Sequence, residues 1–361
     1  MRRIFICFSV AFFFVCFSVF AETLDELWEQ ARREPDTGKA IEIYSRIIKQ
    51  SPDSAEAYLG RAKLYKKAEQ FEKSIEDFNR YIELEPEEFL GYYAKDRVYT
   101  QMKNYEMAVK TITNYISRYP EDPKGFFERG YIYRYFEKKL TPAIKDFSQV
   151  IKLSPEDSTA YIERGLAYIN LGDYDEAIND FSKAIEFDPD NSIAYRERGR
   201  CHKEKKEYDE ALDDFEKSVK FNPEYMWTYY LIASTYYYKD MLEEALEYTS
   251  QALEIEKHDV VLELRANILR DMGLHEKAIQ EIKEAFKTGG KNYFTRGSIY
   301  FVMKEEKKAH EDFMEAFKVN EDADEETFNK LIISRVTGLR SFLSDIKDQI
   351  KELKRKYGPA E

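Results

Sequence analysis

Side chains that could do chemistry are scattered along this sequence. The four histidines, His202, His258, His275 and His310, have no second histidine three or four residues away and no nearby cysteine pair. A zinc site needs such clustering, because one ion draws its ligands from a small volume. Of the three cysteines, Cys7 and Cys16 lie in an apolar leader. Cys201 remains, next to His202, and reads as a small buried residue. Serines and aspartates are plentiful, but none stands in a nucleophile-elbow sequence, and Gly289-Gly290 is a lone pair with no phosphate-loop pattern. Asp175-Glu176 sit where a helix N-terminus favours negative charge. The expectation is no catalytic residue, no metal and no cofactor.

One polar pattern does recur. Six segments carry an arginine, usually directly before a glycine: Arg61, Arg129, Arg164, Arg198, Arg265 and Arg296. The same six carry an acid further on: Asp77, Asp146, Asp180, Asp214, Glu281 and Asp312. Where the arginine is replaced by Leu27, Lys95 or Ile232, the acid is replaced too, by Ile43, Thr111 or Tyr248. Features that come and go together predict an ion pair inside each segment. Partly buried, such a pair fixes geometry more than it stabilises.

The elements that would position these pairs are short helices. In residues 160–191, Tyr161, Gly165 and Tyr168 step by four and three, and after Gly172-Asp173 so do Ala177, Phe181 and Ala184. Each block is an amphipathic helix with one apolar stripe. Gly172 stands where the first stops and Pro189 just past the second. That proline recurs at Pro52, Pro86, Pro120, Pro155, Pro189 and Pro223, in steps of 34, 34, 35, 34 and 34 residues. A small residue opens each second helix: Ala40, Ser74, Ala108, Ala143, Ala177, Ala211, Ala245, Ala278 and Ala309. A helix pair of this size buries its apolar faces only against copies of itself.

These residues resemble the tetratricopeptide repeat family. Tyr161, Gly165, Tyr168, Gly172, Tyr174, Ala177, Phe181, Ala184 and Pro189 match its pattern in the best unit, and nine units cover residues 22–321. The last three are weaker, with Lys257, Gly290 and Glu321 in the proline's place. The resemblance implies an all-α, right-handed α-solenoid of about nine helix-turn-helix repeats. It also implies that the first helices line a concave side, with inner-surface residues one, five and eight places after the buried tyrosine. Carried over unit by unit, that selects Leu59, Lys63 and Lys66; Tyr93, Arg97 and Thr100; and Phe127, Tyr131 and Arg134 with Tyr135 beside them. Next come Ile162, Leu166 and Ile169, then Arg196, Arg200 and Lys203. Tyr230, Ser234 and Tyr237 follow, with Trp227 and Tyr238 at their flanks; then Glu263, Asn267 and Arg270; and last Phe294, Ser298 and Phe301.

Of these, Tyr93, Arg97, Phe127, Tyr131, Arg134, Tyr135, Arg196, Arg200, Lys203, Trp227, Tyr230 and Tyr237 are the expected partner-binding residues. Tyrosine, tryptophan and arginine carry much of the energy at interfaces, and cations beside rings suit an acidic or aromatic-containing peptide. Some of these aromatics instead pack between repeats. Reversing the charge of Arg196, Arg200 and Lys203 together is expected to abolish binding with little change in melting. Some family members grip a terminal carboxylate with lysine, arginine and asparagine; here the asparagine's place holds Gly60, Ala94, Glu128, Glu163 and Glu197, so that set is absent.

Both ends differ from the repeats. Arg2 and Arg3 precede an uncharged apolar run, Ile4 to Phe20, and Val19-Phe20-Ala21 suits cleavage before Glu22. Residues 1–21 read as a secretory signal peptide. The alternatives are an uncleaved anchor, the run being near the lower limit of about 17 residues for spanning, and lipidation at Cys16, which Val15 opposes. No second run of spanning length follows. Without Arg2 and Arg3 the chain has 69 acids against 54 bases, a net charge of −15. That excludes general nucleic-acid binding, which needs a basic footprint.

At the other end, Ile332, Val336, Leu339, Leu343, Ile346, Ile350, Leu353 and Tyr357 form a seam with steps of four and three, interrupted only by Gly338 inside it. Its flanks, Arg335, Arg340, Phe342, Lys347, Gln349, Lys354 and Lys356, carry no acid. A parallel twin copy would therefore oppose like charges. Residues 322–361 are expected to fold back as a capping helix on the acidic repeats, which need a cap. The chain reads as an exported, non-catalytic scaffold in a cell envelope, monomeric without its protein or peptide partner. The alternative is a structural or assembly protein that self-associates through this helix or the solenoid ends. An apolar-ligand carrier resting on Ile162, Leu166 and Ile169 is the weaker third reading.

Overall fold

The computed structural model describes residues 22–290 and 292–319. The signal peptide over 1–21 and the capping helix expected over 322–361 fall outside these residues. The described chain is all helical, with eighteen consecutive α-helices arranged as nine pairs. The pairs are α1 (Leu24–Arg33) with α2 (Thr37–Gln50), α3 (Ala55–Lys67) with α4 (Phe71–Leu84), and α5 (Phe89–Gln101) with α6 (Tyr105–Arg118). Then come α7 (Pro123–Ile132) with α8 (Leu140–Leu153), α9 (Ser158–Leu171) with α10 (Tyr174–Phe187), and α11 (Ser192–Glu204) with α12 (Tyr208–Phe221). The last are α13 (Met226–Tyr238) with α14 (Leu242–Ile255), α15 (Asp259–Asp271) with α16 (His275–Lys287), and α17 (Tyr293–Val302) with α18 (Glu306–Val319). This is the α-solenoid architecture that the repeat spacing predicts. The described residues divide into two compact units, with the boundary between Leu171 and Gly172.

Local chemistry sets the helix ends. Asp36, Ser54, Asn104, Asp122 and Asn191 each accept a backbone N–H at a helix start, and Thr23 with Glu26 closes a capping box on α1. First helices end in a residue with left-handed backbone at one fixed place in the repeat: Glu69, Lys103, Lys138, Gly172, Lys206, Asp240, Gly273 and Lys304. Only Gly172 and Gly273 meet this conformation without a side-chain penalty.

The small residue opening each second helix is buried in all nine repeats, from Ala40 to Ala309. Four places later a larger one is fully buried: Phe78, Ile112, Phe147, Phe181, Phe215, Ile282 and Phe313. First helices approach these rings closely. A Cβ on Gly199 would lie 2.8 Å from Phe215, and one on Gly297 2.9 Å from Phe313.

The single 35-residue step has a structural result. In the fourth repeat α7 runs into a π-turn, Tyr133–Glu137, before Lys138 turns left-handed. One residue too many for the helix is absorbed as a wider turn.

Candidate functional site

Five of the expected ion pairs form within their units. Arg61 Nε and Nη2 donate to Asp77 at 2.7 and 2.8 Å, and Arg198 to Asp214 at 2.8 and 2.7 Å. Arg129 with Asp146 and Arg296 with Asp312 make the same two-pronged contact. Arg265 meets Glu281 at 3.5 Å. Arg164 and Asp180 belong to different units.

Four of the arginines also have a third prong that the sequence pattern does not show. The remaining nitrogen reaches back to a hydroxyl on the preceding repeat: Arg61 to Ser45 at 3.0 Å, Arg129 to Thr113 at 3.1 Å, Arg164 to Ser148 at 2.9 Å and Arg198 to Ser182 at 3.0 Å. Three of these serines spend their own proton on a carbonyl one turn back, so they are fixed as acceptors. In the third repeat Lys95 takes the arginine's place and Asn79 the serine's, 2.7 Å apart. The pairs thus join three helices and fix how the first helices present their outer face.

On that face of the first unit, five of the six expected residues form one stack. The Arg97 guanidinium lies 5.0 Å from the Tyr93 ring centre and 5.6 Å from Tyr131. Tyr131 and Tyr135 are 4.2 Å apart, and Arg134 covers Tyr135 at 3.8 Å. Arg134 and Tyr135 stand in the π-turn. Phe127 is not in the stack. It packs edge-on to Phe147 at 5.7 Å and helps line an open hollow of about 290 Å³ with Phe89, Pro123, Val150 and Thr159.

In the second unit the expected residues divide. Arg196 and Arg200 both pair with Glu197, and Arg196 covers Tyr225 at 4.6 Å. Lys203 donates to Ser234 at 2.9 Å and lies 5.3 Å from Tyr238. Burial pushes the Lys203 ammonium below its usual range, with Arg200 adding to this and Glu204 opposing it. Trp227 meets Tyr230 and His258 edge-on at 5.7 and 4.9 Å. Burial, then nearby Glu263, raises the Tyr230 hydroxyl. Tyr237 donates to Asp271 at 2.7 Å and accepts from Arg270 at 3.4 Å.

In each unit taken by itself the face is therefore charge-compensated. Arg97 pairs with Glu128, Arg134 with Glu163, and Arg196 and Arg200 with Glu197. These three acids hold the place where some proteins of the family that the chain resembles carry asparagine. Reversing Arg196, Arg200 and Lys203 would strand the buried Glu197, so the expectation that stability is untouched by that change does not hold. A signal was available: each of the three acids opens a Glu-Arg-Gly triplet, at 128–130, 163–165 and 197–199. Asp96 and Tyr225 also escaped the sequence reading, whereas Arg270 was among the expected inner-surface residues.

Comparison with known proteins agrees with this architecture. Residues 55–88, 158–191, 192–225 and 228–259 match family models described as tetratricopeptide repeat. No curated protein matches the chain. Among solved structures it is similar to a tetratricopeptide repeat protein from Parabacteroides merdae, with TM-score 0.51 and 20% identity over 69% of this chain and 99% of that one. The Cut9–Hcn1 hetero-tetramer of the APC/C gives TM-score 0.52 and 14% identity over 87% and 67%. The C-terminal part of a repeat-containing protein from Cytophaga hutchinsonii gives 0.52 and 18% over 64% and 94%.

Proposed function

From four matched tetratricopeptide repeats and a charge-compensated aromatic face on the first helices, we propose that this chain is a non-catalytic protein-binding scaffold. The observation that carries the reading is the Tyr93–Arg97–Tyr131–Tyr135–Arg134 stack. Its cations are held by acids beneath, while Tyr93 and Tyr135 keep 39% and 45% of their surface exposed. Ordered rings lose little conformational freedom when a partner covers them, which favours binding. With Arg97 and Arg134 already paired, the stack suits aromatic or planar groups of a peptide better than a run of acids. One structural relative is itself part of a hetero-tetramer. Together with the leader over residues 1–21, the reading places the scaffold outside the cytoplasm, in a cell envelope.

The test is crosslinking capture from an envelope fraction, with a Tyr93→Ala, Tyr131→Ala, Tyr135→Ala variant beside the wild type. The reading requires that a partner captured by the wild type be lost from a variant that melts within a few degrees of it. Equal capture by both would remove the stack as the site.

A further inference from the structure

The residue after the arginine's place is small in seven repeats: Ala62, Gly130, Gly165, Gly199, Ala233, Ala266 and Gly297. The first helix there presses on the second helix; a Cβ on Gly130 would meet the Phe147 ring at 3.0 Å. In the third repeat the residue is Asp96, and the place of Phe147 is taken by the smaller Ile112. Asp96 has no exposed surface, and neither carboxyl oxygen has a hydrogen-bond partner. Arg97 Nε comes to 3.2 Å but is itself without a hydrogen bond, so the two charges are near each other and misaligned. Thr100 Oγ1, one turn on, lies beside the carboxyl without an aligned hydrogen bond.

The charges acting on Asp96 are Arg97 on its own helix and Lys66 on α3. From α7, Glu128 holds the other end of Arg97. Lys95 of α5 is engaged by Asn79 of α4, and on α6 the neighbouring Thr111 hydroxyl donates to its own helix. Arg97 is at once the nearest cation to Asp96 and the centre of the tyrosine stack.

We propose that Asp96 is a proton-operated latch on this surface: ionised, it shares Arg97 with Glu128; protonated, it yields Arg97 to Glu128 and to whatever lies between Tyr93 and Tyr131. The latch rests on the reading of that face as a partner surface. A buried carboxylate with one misaligned cation is costly, and proton uptake is the cheapest relief. Burial drives the Asp96 carboxyl up to about 7, with Arg97, then Lys66 and the Thr100 hydroxyl offsetting only part of it. An unfolded aspartate titrates near about 3.9. Between these values the folded chain holds a proton that the unfolded chain has lost, so stability falls as pH rises through the window and levels off above it. A partner that needs Arg97 free of Asp96 binds more tightly on the acid side of neutrality.

Two measurements on the full chain test this. The first compares melting of wild type with Asp96→Asn and Asp96→Ala from pH 5 to 8.5, which cancels all other titrations. Both variants should gain on wild type as pH rises to 7, by on the order of 5 °C, and hold that gain above it. A difference that does not change with pH overturns the proposal. The second follows the Arg97 Nε–H resonance. It should move with a midpoint near neutrality in wild type and stay still in Asp96→Asn; a stationary Arg97 in wild type removes the latch even if Asp96 titrates. The tyrosine variant separates this from the surface itself. Capture lost there with Arg97 stationary leaves the surface and ends the latch. Capture unchanged with Arg97 moving ends the surface and leaves only a titrating core.

Discussion

Arg134 Nε and Nη2 both donate to one oxygen of Glu163, at 3.0 and 2.5 Å, from the first helix of one repeat to that of the next. Among the described residues only the fourth repeat has a π-turn at this point, and Arg134 is its second residue. Deleting Glu137 restores the 34-residue length of its neighbours. The deletion variant should stay folded, with unchanged far-ultraviolet circular dichroism. The near-ultraviolet tyrosine signal should change as Arg134 and Tyr135 leave the stack. An unchanged tyrosine signal would mean that the extra residue does not shape the surface.

Glu197 is 4% exposed and has two arginine partners. Reversing both, Arg196→Glu with Arg200→Glu, should cost about 3–5 kcal/mol in urea unfolding, because a buried acid then faces like charges. Adding Glu197→Gln should restore most of the loss.

The forked pairs should behave as a unit. Arg198→Met leaves the 3%-exposed Asp214 carboxylate unpaired and should cost about 3 kcal/mol, whereas Arg198→Met with Asp214→Leu should cost far less. Arg198→Lys cannot hold three acceptors in one plane and should fall between them. A double mutant as unstable as the single one would show that the pair itself supplies the stability.

Six first helices end in a non-glycine residue with positive φ, among them Glu69, Lys103 and Lys206 at 57°, 57° and 65°. Replacing any of these three by glycine should raise stability by about 0.5–1 kcal/mol, since the left-handed conformation costs side-chain-bearing residues more. Glycine at Lys205, one residue earlier and in right-handed backbone, is the control and should destabilise.

Cys201 is fully buried, and burial, then nearby Glu197, pushes its thiol up to about 12. In the native chain it should resist thiol reagents at pH 8. Labelling should track global unfolding in denaturant, because the thiolate is the reactive form.

The repeats were legible because prolines and small residues are spaced by packing, which a period shows directly. The Arg–acid pairs were legible because both members sit in one repeat and vanish together, as at Lys95 with Thr111. The third prong was not, since Ser45 and Arg61 belong to different repeats and a serine has many other uses. The charge balance of the surface was missed for a related reason. Glu128, Glu163 and Glu197 are counter-ions only once neighbouring helices are side by side. Asp96 looks like any helix aspartate until its burial is known.

The backward reach of Arg61, Arg129, Arg164 and Arg198 makes repeat order part of the chemistry. Each of these four repeats follows one that offers a hydroxyl, and the third repeat, with Lys95, follows one that offers Asn79. Copies of this chain's repeats are thus not interchangeable beads. Moving the second repeat in front of one that carries such an arginine would set Asn79 where a hydroxyl is expected, a change at the junction that leaves every individual repeat intact.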